Sequence, residues 1–356
     1  MRLCVSRPPR WALRKSKMNK SSILIIYTGG TIGMKTDPIV GALRPFDFSQ
    51  ILEEVPELKK FAGSIDSYSF DPLIDSSDID PEMWKKMALT IRDNYDKYDG
   101  FVVLHGTDTM SYSASALSFM LQNLSKPVIF TGSQLPVGAP RTDGKENLVS
   151  AVEIAAAKNP DGSSRVPEVA IYFGSVLMRG NRTTKVNAES FEAFRSPNLE
   201  PLAETGINIR YNDRVIRKWN GLPLVVSLGL DTRVSILKIH PGITPQVVSN
   251  ILLGPETRAV IIETYGAGNA PSASWFLDLV REAASSKILV NVTQCPAGTV
   301  DMDLYATGKQ MKDAGVVSGY DSTTEAMLAK LFHLLGSGYS DSEVKAQLAV
   351  NLKGEI

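Results

Sequence analysis

Two short, unbroken apolar runs constrain this chain most: Ile23-Leu24-Ile25-Ile26-Tyr27 and Phe101-Val102-Val103-Leu104. They are too short for ordinary helices and lack the alternation of a half-solvated strand, so they read as strands covered on both faces, as in a parallel sheet. Each ends in a turn rich in threonine and glycine, Thr28-Gly29-Gly30-Thr31-Ile32-Gly33 and His105-Gly106-Thr107-Asp108-Thr109. Ligands of open parallel sheets gather at the carboxyl ends of the strands. Two threonines presented there, with a lysine and an aspartate available, suggest hydroxyl-nucleophile chemistry on a small substrate.

Further along, strands and helices alternate. Residues 34–48 hold Asp37-Pro38, Gly41 and Pro45, which resist helix and suit either a lid over the first turn or a plain surface connection. A helix is expected at 48–61, then a strand at 66–73 leading into Asp75-Ser76-Ser77-Asp78. Asp80-Pro81 supplies an N-cap and a first-turn proline for a helix at 81–95. Strands at 101–104, 128–130 and 168–173 then alternate with helices at 111–122 and 147–157. Such alternation implies right-handed crossovers and a parallel sheet. The segment 204–222, with Asn208, Asn212-Asp213 and Asn220-Gly221, breaks the rhythm and reads as a connection between domains. Beyond it the pattern resumes on a smaller scale, with strands at 225–230, 235–239, 259–264 and 288–292 and helices near 246–252 and 275–285. Two helices close the chain at 322–335 and 341–351, Ser340 and Glu343 forming a capping box for the last. The expected fold class is α/β: a larger N-terminal, mostly parallel sheet domain at 21–204, a linker at 205–222 and a smaller C-terminal α/β domain at 223–356, preceded by a basic extension at 1–20 that reads as disordered.

A chain of 356 residues is long enough for two cores, and 43% apolar with 21% charged residues is ordinary for a globular protein. The formal charge of zero hides an asymmetry, because residues 1–20 carry seven basic residues and no acidic one. The remainder has 31 basic and 38 acidic residues, a charge of −7 that offers no footprint for nucleic acid or an anionic membrane. The basic run reads as an RNA-binding arm, a targeting peptide or an extension upstream of Met18, and it lacks the apolar stretch of a secretory signal. No later run reaches the ~18 apolar residues of a membrane span. Cys4 and Cys295 are too few for a disulfide scaffold, and a reducing, intracellular setting fits them. His105, His240 and His333 show no metal-ligand spacing, so metal is not expected. The first turn has neither GxGxxG spacing nor the Gly-Lys-Ser/Thr of a phosphate loop, which argues against a nucleotide.

A threonine hydroxyl needs a base, and Lys185 in Gly180-Asn181-Arg182-Thr183-Thr184-Lys185 is the outstanding candidate. Following the strand near Tyr172, it can project over the carboxyl edge of the sheet, where burial disfavours a charged amine. Backbone amides near Gly106 and Thr107 can serve as oxyanion donors, and Gly29, Gly30 and Gly106 permit close backbone approach.

TGGTIG at 28–33, IDSSD at 74–78, DGFVVLHGTDTMSYSASALSFML at 99–121, GNRTTK at 180–185 and YGAGNAP at 265–271 together carry a resemblance. The chain resembles the bacterial-type L-asparaginases, in particular the type I (cytoplasmic) branch, from about Ser22 to its end. The resemblance implies an amidohydrolase that converts L-asparagine and water to L-aspartate and ammonia through a threonine acyl-enzyme, without a cofactor. It makes Thr31 the primary nucleophile and groups Thr107, Asp108 and Lys185 as a second, triad-like cluster. Ser76, with Ser77 beside it, would bind the substrate carboxylate, Asp108 the ammonium, and Gly30 and Gly106 would line the site. A Ser turn at 76–77 and a helix N-cap at Asp108 are the plain alternatives.

The same resemblance implies a homodimer or a dimer of dimers in which Asn269 reaches the neighbouring subunit's site. Many relatives carry a catalytic tyrosine in the lid, yet residues 34–48 contain none, and Phe46 and Phe48 cannot exchange a proton. Tyr305 is a weak substitute, and the base that activates Thr31 stays open. Glu263 stands where an arginine would hold the ligand of a second, regulatory site, so none is expected. The competing readings are a glutaminase-asparaginase, the amidase subunit of a transamidosome, and a binding protein that senses asparagine without turnover. The intact Thr31, Thr107 and Lys185 argue against the sensor.

Overall fold

The computed structural model describes residues 21–36, 43–45 and 55–356. In chain order the first half contains β1 (Ser22–Tyr27), β2 (Ser64–Ser69), α1 (Pro81–Asp93), β3 (Gly100–Leu104), α2 (Met110–Met120), β4 (Val128–Thr131), α3 (Gly144–Ala156), β5 (Val169–Phe173), β6 (Val176–Arg179), β7 (Ala203–Thr205) and β8 (Ile209–Tyr211). The second half contains β9 (Val234–Lys238), α4 (Pro245–Leu252), β10 (Ala259–Thr264), α5 (Ser274–Ala284), β11 (Ile288–Thr293), α6 (Ala306–Asp313), β12 (Val317–Ser318), α7 (Thr324–Gly336) and α8 (Asp341–Leu348).

Strands β1 to β8 form one sheet in the order β8-β7-β6-β5-β4-β3-β1-β2, and shorter strands between them pair outside it. From β2 to β5 every pairing is parallel, and the three pairings that add β6, β7 and β8 are antiparallel. A second sheet, β9-β10-β11-β12, is parallel throughout. Alternate residues of one strand enter different cores. Leu24, Ile26, Phe101 and Val103 pack with Trp84, Met87 and Leu117 from α1 and α2, whereas Ile23, Ile25, Val102 and Leu104 pack with Leu148 and Val152 from α3. Burial on both faces is why these strands read as unbroken apolar runs. Helix α7 ties the sheets together, giving Phe332 to the first core and Leu331 and Leu334 to the core of the smaller sheet.

Local signals acted as expected at several ends. Asp80 accepts the Met83 N–H at 3.0 Å and caps α1, and Ser340 with Glu343 forms the capping box of α8. The structure departs from expectation in several places, among them the strand expected at 66–73, which is Ser64–Ser69. The strand expected at 225–230 is only Val225–Val226, paired with Leu121–Gln122 at the end of the helix expected to run to 122. The pairing stops where its partner runs back into α2, the Ser227 N–H reaching the Met120 carbonyl at 2.9 Å, and at Gly229, where a Cβ would lie 2.3 Å from the Gly336 carbonyl oxygen, the chain crosses the end of α7. The irregular stretch at 204–222 contains the antiparallel β7–β8 pairing, which extends the large sheet through Tyr211. Strand β6 was missed, since a two-residue link of Gly174 and Ser175, both at positive φ, turns the chain straight back from β5. Helix α6, with a glycine in its first turn, has too weak a propensity to be read from sequence. Of the helix expected at 48–61, Pro56–Lys60 forms a 3-10 helix and 48–54 lie outside the described residues. Within the expected lid, Met34–Thr36 pairs antiparallel with Leu43–Pro45, while 37–42 and 46–48, with Phe46 and Phe48, lie outside them, as do residues 1–20 with Cys4.

Candidate active site

The register of the central strands brings the threonine turns together. Tyr27 pairs with Leu104, so β1 and β3 end level and both turns begin at one edge of the sheet. Thr28 then uses its N–H and its hydroxyl on the Leu104 carbonyl, each at 3.0 Å. The chain reaches Gly30 at φ 91° and ψ 169°, a conformation open essentially to glycine alone. A Cβ at Gly30 would sit 2.6 Å from the Gly106 nitrogen, so Thr31 and Thr107 each follow a glycine in backbone contact with the other turn.

A third turn closes on the same spot. A Cβ on Gly106 would lie 2.4 Å from Ser76 Oγ, which accepts the Asp108 N–H at 3.3 Å. The Thr109 hydroxyl donates to the Ser76 carbonyl at 2.6 Å. Thr109, not Asp108, is therefore the residue at the N-cap position of α2, with its hydroxyl committed elsewhere. Ser76 is buried, whereas Ser77 is exposed and closes an Asx turn by donating its N–H and its hydroxyl to Asp75. Those bonds, the backbone one foremost, hold the Asp75 carboxyl below its usual range.

Lys185 arrives from the other side. Its Nζ donates to Thr107 Oγ1 at 2.9 Å and to Asp108 Oδ1 at 2.7 Å. Its side chain is 19% exposed and that of Asp108 63%, so the pair has one face to solvent. The lysine does not simply follow the strand near Tyr172; the chain returns along β6, passes through residues 180–182 and pairs Thr184–Lys185 with Phe194–Arg195. This path is heavily tethered. Thr184 Oγ1 donates to Glu325 Oε1 at 2.6 Å in the first turn of α7, and burial pushes the Glu325 carboxyl up. Arg182 grips Asp321 at 2.5 Å and donates to the Glu355 carbonyl at 2.6 Å.

A second network, which the sequence reading did not find, lies beneath Thr107. The Trp84 indole can only donate, so its 2.9 Å contact makes Ser113 Oγ an acceptor there and leaves the serine proton for His105 Nε2, also at 2.9 Å. His105 Nδ1 then carries the ring's hydrogen and donates it to the Gly106 carbonyl at 2.7 Å. Burial pushes the His105 pKa down to about 4, in keeping with a neutral ring. Because the peptide is planar and trans, pinning the Gly106 carbonyl sends the Thr107 N–H the opposite way. That N–H carries no hydrogen bond among the described residues, as an oxyanion donor requires. The available signal was His105 itself, a polar residue directly after a fully buried strand. Tyr27, also missed, donates to the Gly30 carbonyl at 3.4 Å, and burial pushes its phenol up to about 12. It buttresses the turn as a protonated phenol.

The two remaining expected residues lie in the smaller domain. Asn269 follows β10, where its amide oxygen accepts from Thr307 at 3.0 Å, and Tyr305 precedes α6 with 51% of its surface exposed. Neither forms a hydrogen bond with Thr31, Thr107, Asp108 or Lys185 within the chain. Among the described residues no group of three or more His, Cys, Asp or Glu is placed to hold a metal, and no helix is long and apolar enough to cross a membrane.

Residues 22–217 match the family model described as Asparaginase, N-terminal, and residues 233–348 match the Glutaminase/Asparaginase C-terminal domain. The chain belongs to the asparaginase family. Among its relatives, this asparaginase-family chain is 44% identical over 345 residues to L-asparaginase 1 of Escherichia coli K12, covering 95% of this chain and 99% of that protein. It is 42% identical over 358 residues to the 60 kDa lysophospholipase of Mus musculus, covering 94% of this chain and 62% of that protein. Its fold superposes on the crystal structure of L-asparaginase I from Vibrio cholerae with a TM-score of 0.85 at 44% identity, covering 95% and 99% of the two chains.

Proposed function

We propose that this chain hydrolyses L-asparagine to L-aspartate and ammonia. The observation that carries the reading is the convergence of Lys185 Nζ on Thr107 Oγ1 and Asp108 Oδ1, beside the point where Gly30 and Gly106 meet. Thr31 Oγ attacks the side-chain carbonyl carbon, and its proton goes to the departing nitrogen, which leaves as ammonia. The resulting ester with Thr31 is cleaved by water, whose oxygen goes to the released aspartate while one of its protons regenerates the Thr31 hydroxyl. Thr107, held by Lys185, directs its own hydroxyl proton within this relay. Asp108 takes the substrate ammonium, Ser76 its carboxylate, and the Thr107 N–H the oxyanion. Similarity to L-asparaginase 1 over nearly the whole chain supports asparagine as the substrate.

The proposal extends to a homodimer, or a dimer of dimers, in the cytoplasm, with Asn269 and the segment of Tyr305 completing a neighbour's site. Thr31→Ala and Lys185→Met should each lower kcat by orders of magnitude with unchanged thermal unfolding, measured as ammonia release from asparagine and, in parallel, from glutamine. Near-normal turnover in either variant would overturn its role.

A further inference from the structure

A cavity of about 100 Å³ lies where β5 and β6 meet residues 217–220, and Glu168, Arg179, Arg217, Lys218, Trp219 and Lys353 form part of its wall. None of these belongs to the threonine cluster. The charges in the wall do not balance. Glu168, only 5% exposed, is consumed by Arg179, whose Nε and Nη2 reach its two oxygens at 2.6 and 3.3 Å, and by the backbone N–H of Arg217. Arg217, Lys218 and Lys353 form no ion pair among the described residues. Glu355, the carboxylate that acts on Lys353, is already held by Lys330 at 2.7 Å and by the N–H groups of Leu352 and Lys353. Burial first, and Arg217 next, push the Lys353 ammonium down from its usual range. A partly buried ammonium beside a guanidinium, with no acceptor of its own, is the kind of surface that an anion stabilises.

We propose that this cavity binds a phosphate group, free or as a phosphomonoester. Two ammonium groups and a guanidinium suit a dianion with several acceptor oxygens better than a single carboxylate. An adjoining cleft of about 930 Å³ shares Arg217, Lys218 and Trp219 with the cavity; Lys158 and Arg165 in its wall are paired with Asp99 and Asp213, Asp161 and Asp213 line it too, and it leaves room for the body of an ester. The site also touches the segment that carries Lys185, because the carbonyls of Lys353, Gly354 and Glu355 accept from Asn181, Arg179 and Arg182.

The test is calorimetric titration of the full chain with inorganic phosphate and, separately, with glycerol 3-phosphate, against sodium chloride of equal ionic strength. Saturable heat with phosphate is expected, and Kd should rise at least tenfold in Lys353→Met and severalfold in Lys218→Met, whose exposed position keeps the fold intact. Tighter binding of the ester assigns the cleft to its body, and weaker binding makes free phosphate the ligand. Phosphate that behaves as chloride does, or binding undiminished in both variants, overturns the proposal.

Discussion

The Trp84–Ser113–His105–Gly106 chain can be tested by a double-mutant cycle on its two upper members. Ser113 and His105 are fully buried and Trp84 is 5% exposed, so water cannot replace a lost partner. Ser113→Ala orphans two buried groups at once, the indole N–H and His105 Nε2, and each unsatisfied group costs about 1–3 kcal/mol. Trp84→Phe removes the donor but leaves the serine bonded to the histidine, so it costs about 1 kcal/mol in hydrogen bonding besides the packing of the smaller ring. In the double variant the indole N–H no longer exists to be orphaned, so its destabilisation should fall short of the sum of the singles by about 1–3 kcal/mol. Urea unfolding followed by circular dichroism measures all three differences. Additivity within about 0.5 kcal/mol would refute the donor chain and the tautomer deduced from it. Ser113→Ala should also lower kcat more than it changes KM, because the Gly106 carbonyl loses a fixed partner.

Acid should destabilise the fold through its buried histidines. His105 and His333 are both pushed down to about 4, chiefly by burial, so between pH 6.5 and about 4 the unfolded chain binds more protons than the native one. Their stabilising contribution is therefore complete above pH 6.5 and is lost as pH falls through that window, by at most about 1.4 kcal/mol per pH unit for each ring; a flat urea midpoint from pH 7 to 5 would contradict it. Lys330 and Glu355 form an ion pair with both side chains fully buried. Lys330→Met should cost about 3–5 kcal/mol by leaving the carboxylate uncompensated, with part recovered on adding Glu355→Gln, and equal unfolding midpoints for the single and double variants would argue against it. Gly30→Ala places a methyl 2.6 Å from the Gly106 nitrogen at a φ of 91°, so kcat/KM should drop at least tenfold, and a fully active variant would show that the turns do not meet as described.

Much of the candidate site was legible because its residues sit in short local motifs. The glycines of both turns, the Asp75-Ser76-Ser77-Asp78 corner and the GNRTTK lysine can each be picked out from residue type and neighbours. Resemblance to a family then joined segments that lie far apart in the chain. The donor chain under Thr107 was not legible, since Trp84, Ser113 and His105 are ordinary residues until packing sets them side by side. Nor were the contacts of the 353–355 backbone, whose carbonyls accept from Asn181, Arg179 and Arg182 and leave no trace in side-chain identity.

By itself the sequence determined the period of the pattern. Unbroken apolar strands covered on both faces demand a parallel sheet, and capped helices such as α1 and α8 begin where Asp80 and Ser340 stand. What only tertiary structure decided was register and reach. The levelling of β1 with β3 and the return of the chain along β6 bring residues 31, 76, 107 and 185 to one edge. Those outcomes depend on contacts between residues tens to more than a hundred positions apart, and such contacts are settled by how whole cores pack.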